Sequence, residues 1–465
     1  MKLAGIDIGT TSICAVVLDT ESKKMVHCVT EPNRSKIPSS EPYAVLQDPN
    51  RIWSKVEELL NGILIRHQDV LGIGVSGQMH GILYVDREGN AVSPLYTWQD
   101  GRGNLTMQSG GTYATSLQQL TGHPVASGYG LVTHYYHVVN QTVPAEAVRL
   151  CTIGDFVVMK MTGCTSPLMD ATNAAGIGLF QRGGFDVDAL RAAELQEEML
   201  PPIVASATRA GTCVIPGATR ATRAAMTPSG IPVFTAIGDN QASFLGAVLS
   251  LRGTLLVNIG TGAQLSVWSQ ESWTAPGFEE RPFLGNGSLH VGASLGGGKS
   301  YALLERFFRD VCRVFTDVET ENLYELMEKL AQDAGETDHP LVVDPQFFGT
   351  RMDPAKRGTI SNISESNFTP EGLLSAWING MAAELWGMYR SIPSEARAGI
   401  IRFVGSGNGI QRNAALRRAI ERHFGMPLTL SDYGEEAAVG AALCAGVGSQ
   451  AFPDFHAAGM ALRKD

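Results

Sequence analysis

The sequence predicts an α/β protein made of two similar halves, and two stretches carry that prediction. Near the start, Leu3-Ala4-Gly5-Ile6-Asp7-Ile8 is an apolar run holding a lone acid. Gly9-Thr10-Thr11-Ser12 makes a turn, and Ile13-Cys14-Ala15-Val16-Val17-Leu18 is apolar again. Two short apolar runs about a glycine turn read as a β-hairpin. The second stretch, Val257-Asn258-Ile259-Gly260-Thr261-Gly262-Ala263-Gln264-Leu265-Ser266-Val267-Trp268, repeats the pattern, with Asn258 standing 251 positions after Asp7. One hairpin opening each half places the boundary near residue 250 and the domains at 1–249 and 250–465.

The chemistry of the first hairpin follows from its residue types. Gly9 lacks the Cβ that would block a close backbone approach. Backbone N–H groups with the hydroxyls of Thr10, Thr11 and Ser12 could cradle a phosphate. A carboxylate at Asp7 beside such a cradle suits Mg²⁺, directly or through water. A buried strand ending in an Asx-type turn is the alternative, and the second copy favours the phosphate reading. The paired arrangement resembles the actin, hexokinase and heat-shock chaperone nucleotide-binding superfamily, with its ribonuclease H-like domains. That resemblance implies two domains flanking an ATP and sugar cleft, one hairpin at each end of the phosphate tail.

The elements between follow in order. Glu31 to Asp48 reads as a connection. Pro49 to His67 has helical spacing at Ile52, Val56, Leu59, Leu60 and Ile63. Val70 to Ser76 is a buried strand leading into Gly77-Gln78-Met79-His80-Gly81. Polar Gln78 and His80 at a strand end are where α/β sheets place ligand contacts; a surface turn is the alternative. In Trp98-Gln99-Asp100-Gly101-Arg102, the aromatic could stack on a sugar ring while the polar groups bind its hydroxyls. A solvated loop is equally compatible. Asp155 to Thr162 reads as a helix, Pro167 to Ala175 as a polar loop with a candidate sugar contact, and Pro201 to Pro228 as irregular chain. The strand Ile231 to Ile237 runs into Gly238-Asp239-Asn240-Gln241 and a helix from Ala242 to Leu249. Asp239 and Asn240 stand at its N-cap position, which alone would explain an acid there.

In the second half, Leu303 to Val314, Asn322 to Ala334 and Pro370 to Met388 have helical spacing. Ile400 to Val404 is a strand entering Gly405-Ser406-Gly407-Asn408-Gly409, a turn that lets a nucleotide lie against backbone. Glu435 to Ala442 reads as a tightly packed helix of small residues. Ala293-Ser294-Leu295-Gly296-Gly297-Gly298-Lys299-Ser300 satisfies a relaxed phosphate-loop pattern. No Walker B strand accompanies it, so it reads as a stretch that shapes a turn near the cleft.

Composition narrows the class. The chain has 465 residues, 44% hydrophobic and 18% charged, in the range of an ordinary globular enzyme. A net charge of −10 argues against nucleic acid or an anionic membrane as partner. Met1-Lys2 runs straight into a strand, so no signal peptide is expected. The apolar run Ala437 to Val447 is too short to span a bilayer. Seven cysteines without a Cys-x-x-Cys pair predict a reducing cytoplasm, no disulfide framework and no zinc site.

Taken together, Gly5-Ile6-Asp7-Ile8-Gly9-Thr10-Thr11, Gly77-Gln78-Met79-His80-Gly81, Gly238-Asp239-Asn240-Gln241-Ala242, Gly260-Thr261-Gly262, Gly405-Ser406-Gly407-Asn408 and Glu435-Glu436-Ala437-Ala438-Val439-Gly440-Ala441-Ala442 resemble the FGGY carbohydrate kinases in order and spacing. The Gln-Met-His-Gly turn resembles ketose kinases. Trp98 to Arg102, Pro167 to Asp170 with Asn173 to Ala175, and Gly405 to Gly407 with Arg412-Asn413 are closer to kinases of the seven-carbon ketose sedoheptulose. D-xylulose kinases usually carry Asn where this chain has Gln99. Lys299 departs from the family, where Asn is expected.

The resemblance implies phosphoryl transfer from MgATP to a terminal ketose hydroxyl, giving sedoheptulose 7-phosphate. Asp239 would be the general base. Gln78, Met79 and His80 would line the sugar pocket, with Trp98, Asp100 and Asn240 as neighbours. Asp7 would serve Mg²⁺, and Thr10, Thr11 and Ser12 the transferring phosphate. Gly260, Thr261 and Gly262 would contact the tail, and Gly405, Ser406, Gly407 and Asn408 the adenosine. The expected partners are ATP and a small ketose, with no nucleic acid and no membrane; a homodimer is one assembly the sequence allows. D-Xylulose kinase is the alternative in the same class. A non-catalytic ATPase switch of actin or chaperone type is the alternative in another.

Overall fold

This computed structural model of the chain describes residues 1–181, 183–216, 230–285, 287–316, 321–333, 339–350, 353 and 355–463, with the backbone alone at 332 and 333. The chain divides into two compact units. The first comprises Met1–Ser250, a short stretch beginning at Pro282, and Glu435–Asp465; the second comprises Leu251–Arg281 and Gly287–Gly434.

The first unit is built on a seven-stranded sheet. Its strands are β1 (Lys2–Ile8), β2 (Ser12–Asp19), β3 (Lys24–Pro32), β4 (Val70–Gly77), β5 (Arg209–Thr212), β6 (Pro232–Phe234) and β7 (Ile237–Gly238). The order is β5-β6-β4-β1-β2-β3, with β7 pairing β4. β1 and β2 form the expected antiparallel hairpin, and β1 runs parallel to β4. Glu31 to Asp48 is more than a connection, since β3 takes in Glu31 and Pro32. Of the stretch expected to be irregular, 217–228 lies outside the described residues, and 201–216 contributes β5.

Successive residues of a strand face opposite sides of its sheet. Ala4, Ile6 and Ile8 join a core with Ile73 and Val75 of β4 and with helices α1 (Pro49–Arg66) and α2 (Ile153–Thr162). Asp48 starts α1 by accepting from the backbone N–H groups of Asn50 and Arg51. Its buried face is Ile52, Val56, Leu59, Leu60, Ile63 and Leu64, the predicted apolar stripe extended by one residue.

The other face carries Leu3, Gly5 and Asp7, and the small-residue helix α5 (Glu436–Gly448) packs against it. A Cβ on Gly5 would stand 1.9 Å from the Ala438 carbonyl oxygen, and one on Gly74 would stand 1.8 Å from that of Ala441. The opposite side of α5 meets α4 (Asp239–Val248) in the same way. A Cβ on Gly246 would lie 2.0 Å from the Glu436 oxygen, and one on Gly440 2.0 Å from that of Ala242. Glycines on four elements thus let backbone touch backbone. This close packing groups 435–465 with the first unit, whereas the expected second domain runs from 250 to 465.

The second unit has a six-stranded sheet of β8 (Thr254–Ile259), β9 (Ala263–Ser269), β10 (Phe278–Pro282), β11 (Ser288–Ser294), β12 (Arg402–Ser406) and β13 (Thr429–Leu430), ordered β10-β11-β9-β8-β12-β13. β8 and β9 are the second hairpin, and β12 runs parallel to β8. The long helices Gly297–Thr316 and Pro370–Ser391 bury residues such as Leu304, Leu374, Trp377 and Leu385 against this sheet. Among the described residues, no helix is long and apolar enough to cross a membrane.

Candidate active site

In the first unit, three strands end side by side. Register pairs Ile8 of β1 with Gly77 of β4, and Gly77 with Gly238 of β7. The β1–β2 turn, the Gln78-Met79-His80 turn and Asp239 therefore leave the same sheet edge, the edge at which α/β folds present ligand contacts.

The first turn is fastened from behind. Asn33 Nδ2 donates to the Gly9 oxygen at 2.8 Å, Gln47 Nε2 to the Thr10 oxygen at 2.9 Å, and the Asn33 N–H to the Thr11 oxygen at 2.8 Å. In a trans peptide the N–H points away from its carbonyl. The amides of Thr10, Thr11 and Ser12 are thereby turned to the opposite side, as an anion cradle requires. Thr11 is exposed, whereas Thr10 and Ser12 are half-buried. The Thr10 hydroxyl donates to Gln78 Oε1 at 3.3 Å and accepts from the Trp98 indole N–H at 3.0 Å. Gln78 in turn donates to Gln47 Oε1 at 2.8 Å. The structure thus brings Thr10, Gln78 and Trp98 into one network.

Asp7 accepts from the Ser76 hydroxyl at 2.6 Å. Burial pushes its carboxyl up to about 6, against the Ser76 bond, and the nearby charge of Glu435 adds to the rise. A carboxylate pressed by burial and by a second anion is one that a cation would relieve, so the residues present fit a divalent metal.

His80 holds φ of 73°, an uncommon conformation for a side chain of its size. Its Nδ1 stands 2.5 Å from the Gly176 oxygen, and its ring stacks on Tyr129 at 4.8 Å between centroids. Met79 is buried and lies against Gly238, where an added Cβ would meet its sulfur at 2.6 Å. The predicted pocket residues Gln78, Met79 and His80 are thus locked next to the start of α4.

Asp239 is the first residue of α4, and the N-cap is Gly238, which supplies no side-chain bond. This corrects the expected capping role of Asp239 and Asn240; both are half-buried in the first turn. What holds the start of α4 comes from a segment read as a loop. Within Pro167 to Ala175 begins a helix, α3 (Ala171–Ile177), capped by the buried Asp170. The Thr172 hydroxyl donates to Asp170 at 2.6 Å and accepts the Gly238 N–H at 2.9 Å. Asn173 Nδ2 donates to the Ala236 oxygen at 3.1 Å. These residues position the strand end before Asp239. The spacing Asp170-x-Thr172 ahead of a helix was the available sequence signal.

Asp100 is placed differently from its expected role as a sugar contact. It is 1% exposed, and its carboxylate accepts from Arg102 Nε at 2.6 Å, Arg102 Nη2 at 3.1 Å and the Val45 N–H at 3.1 Å. Arg102 also lies over the Tyr96 ring at 4.2 Å and bonds His137 Nε2 at 2.8 Å. A bidentate buried pair of this kind fixes the loop that presents Trp98, which is 46% exposed.

The second unit repeats the device with other parts. Gly298 N–H donates to the Gly260 oxygen at 2.8 Å and Lys299 N–H to the Thr261 oxygen at 2.9 Å. The amides of Thr261 and Gly262 are again turned the other way. Gly297 and Gly298 permit this contact, since Cβ atoms there would stand 2.1 Å and 2.4 Å from the turn backbone. The helix start that looked like a phosphate loop is therefore the support of the second hairpin. The Lys299 ammonium sits 4.0 Å over the Phe348 ring.

The likeness extends one strand further than the sequence showed. Asp7 pairs in register with Ser76, and Asn258 pairs in register with Ser406. Asn258 Nδ2 donates to the Ser406 hydroxyl at 2.7 Å, as Ser76 donates to Asp7. Gly405 and Ser406 are buried, Gly407 turns the chain with φ of 85°, and Asn408 is exposed at the strand end.

Residues 3–246 match the N-terminal domain of the FGGY family of carbohydrate kinases, and residues 290–449 match its C-terminal domain. The chain is 30% identical to a sedoheptulokinase of Mus musculus over 480 residues, covering 94% of this chain and 96% of that protein. It is 24% identical to a xylulose kinase of Staphylococcus xylosus, covering 97% and 92%. The ligand-bound xylulose kinase of Lactobacillus acidophilus shares its fold with a TM-score of 0.81 at 19% identity, covering 100% of this chain and 92% of that one. The chain belongs to the FGGY family of carbohydrate kinases.

Proposed function

We propose that this carbohydrate kinase transfers the γ-phosphoryl group of ATP to the terminal hydroxyl of sedoheptulose. The observation that carries the reading is the shared edge of β1, β4 and β7. It sets an amide cradle, a turn of Gln78, Met79 and His80, and a carboxylate at Asp239 next to one another. Phosphoryl transfer needs positioning and charge neutralisation more than covalent chemistry. Thr10, Thr11 and Ser12 bind the transferring phosphate, and Gln78, Met79, His80, Trp98 and Asn240 hold the sugar. Asp239 accepts the hydroxyl proton as attack proceeds. Asp7 holds Mg²⁺, which when bound neutralises phosphate charge. In the second unit, Gly260, Thr261 and Gly262 hold the phosphate tail, and the strand end at Gly405, Ser406, Gly407 and Asn408 meets the adenosine. The seven-carbon substrate is supported by the 30% identity to the mouse sedoheptulokinase along nearly the whole of both chains.

A coupled ADP-release assay over a panel of ketoses tests this reading. Sedoheptulose should give the higher kcat/KM. A ratio favouring D-xylulose moves the assignment to that sugar. A flat response to every sugar, with unchanged basal hydrolysis, overturns both kinase readings and favours an ATPase switch.

A further inference from the structure

Behind Asp7, on the sheet face covered by α5, lies a cluster that the kinase reading does not use. Register places Asp7, Cys14 and Thr30 in one row across β1, β2 and β3, and Val16 and Cys28 in the next row. Cys14 and Cys28 are thus diagonal neighbours on the same face. Glu435, the residue before α5, reaches the same spot, where the Thr30 hydroxyl donates to its Oε1 at 2.9 Å. The two sulfurs and a Glu435 carboxylate oxygen all lie within 4.8 Å of one another, the one such trio among the described residues.

We propose that Cys14, Cys28 and Glu435 form an exchangeable site for a thiophilic divalent cation such as Zn²⁺, whose occupancy lowers phosphoryl transfer.

Two thiolates and a carboxylate are a donor set that zinc accepts, and three protein ligands leave a fourth position for water. Zinc–sulfur bonds of about 2.3 Å put ligand atoms roughly 3.3–3.8 Å apart in a tetrahedron, so the trio must draw in by only about 1 Å. Cys28 is exposed and Glu435 half-buried, which gives the ion a way in and two side chains free to adjust. Cys14 is 2% exposed and anchors the site on the rigid hairpin. Burial above all raises the Cys14 thiol, and the charges of Glu435, Cys28 and Asp7 add to the rise; a cation removes that added repulsion. Binding replaces the two thiol protons, which pass to the buffer, so affinity rises with pH. The effect on turnover rests on the reading of Asp7 given above. Asp7 pairs directly with Cys14, and a cation there adds charge beside the carboxylate and draws Glu435 away from it.

The test is a titration of the reduced, chelator-treated full chain with Co²⁺, followed by thiolate-to-cobalt charge-transfer absorption. The parent should bind one Co²⁺ per chain with that band and lose it on adding Zn²⁺. Cys28→Ser should abolish the band and weaken binding at least about tenfold. Cys164→Ser, which alters another exposed thiol, should leave both unchanged. Cys28 is a surface residue, and equal melting temperatures of parent and C28S in chelator confirm the fold. The absence of a band in the parent, or the same band and affinity in C28S, overturns the site. In the ADP-release assay with excess MgATP, Zn²⁺ should inhibit the parent and spare C28S. Zinc that binds as expected but inhibits both proteins equally overturns the link to turnover alone.

Discussion

The substitution Asp239→Asn separates a structural from a chemical role at the start of α4. Gly238 is the N-cap and provides no side-chain bond, and Asp239 stands as an acid in the first turn of the helix. Loss of that charge costs about 0.3–1 kcal/mol. For a unit of this size that is a fall in Tm of at most about 2–4 °C. The backbone at 238 remains tied to Thr172 at 2.9 Å, and Met79 still packs on Gly238, so the pocket should keep its shape. Asn cannot take the sugar's proton. Loss of a general base lowers rate by about 10²–10⁴-fold. The variant should therefore fold, bind ATP with unchanged affinity by calorimetry, and show kcat for sedoheptulose reduced by at least about 10²-fold. A kcat within threefold of the parent refutes the reasoning. Asp100 would not be the next candidate, because Arg102 and Val45 already occupy its carboxylate.

Three further outcomes follow from packing and charge. Gly74→Ala should destabilise the protein by about 1–3 kcal/mol through overpacking, since its Cβ would meet the Ala441 oxygen at 1.8 Å. Gly62→Ala, with nothing within 4 Å, should be neutral or stabilising; equal urea midpoints for the two variants would contradict the contact. Lys299→Ala should change KM for ATP by less than threefold, because its ammonium rests on Phe348 and its backbone N–H serves the hairpin. A 10²-fold fall in kcat would restore a phosphate-loop role. Burial holds the Asp155 carboxyl at about 7, above the ordinary 3.8. The folded chain keeps that proton where the unfolded chain has released it, so this group makes stability fall as pH rises from about 4 to about 7. Asp155→Asn should flatten the slope in urea unfolding across that window, and an unchanged slope would refute the assignment.

Local pattern made much of this protein legible. The two hairpins, the helix from Pro49, the strand from Val70 and the helix from Pro370 follow from periodicity and turn residues, because those signals act over a few neighbours in the chain. The repeat offset by 251 positions exposed the two-part plan, and the motif order pointed to the family. Asp239 was placed one residue into its helix rather than at its cap, since helix ends depend on which backbone groups find partners elsewhere. The segment around Asp170 looked like a loop because its helix is only seven residues long and its bonds go to Gly238 and Ala236.

By itself, then, the sequence determined the fold class, the paired hairpins and the candidates that stand within a few residues of a strand end. Tertiary structure decided what those candidates touch. The contact of Gly5 and Gly74 with α5 assigned 435–465 to the first unit. Arg102 and the Val45 N–H hold the Asp100 carboxylate, and the Gly298 and Lys299 N–H groups brace the turn of the second hairpin. Cys14, Cys28 and Glu435 meet although no metal-ligand spacing joins them, since strand register and a helix arriving from 400 residues away are contacts that no local window contains. Periodicity tells which face of an element is buried, and only the packed chain tells against what.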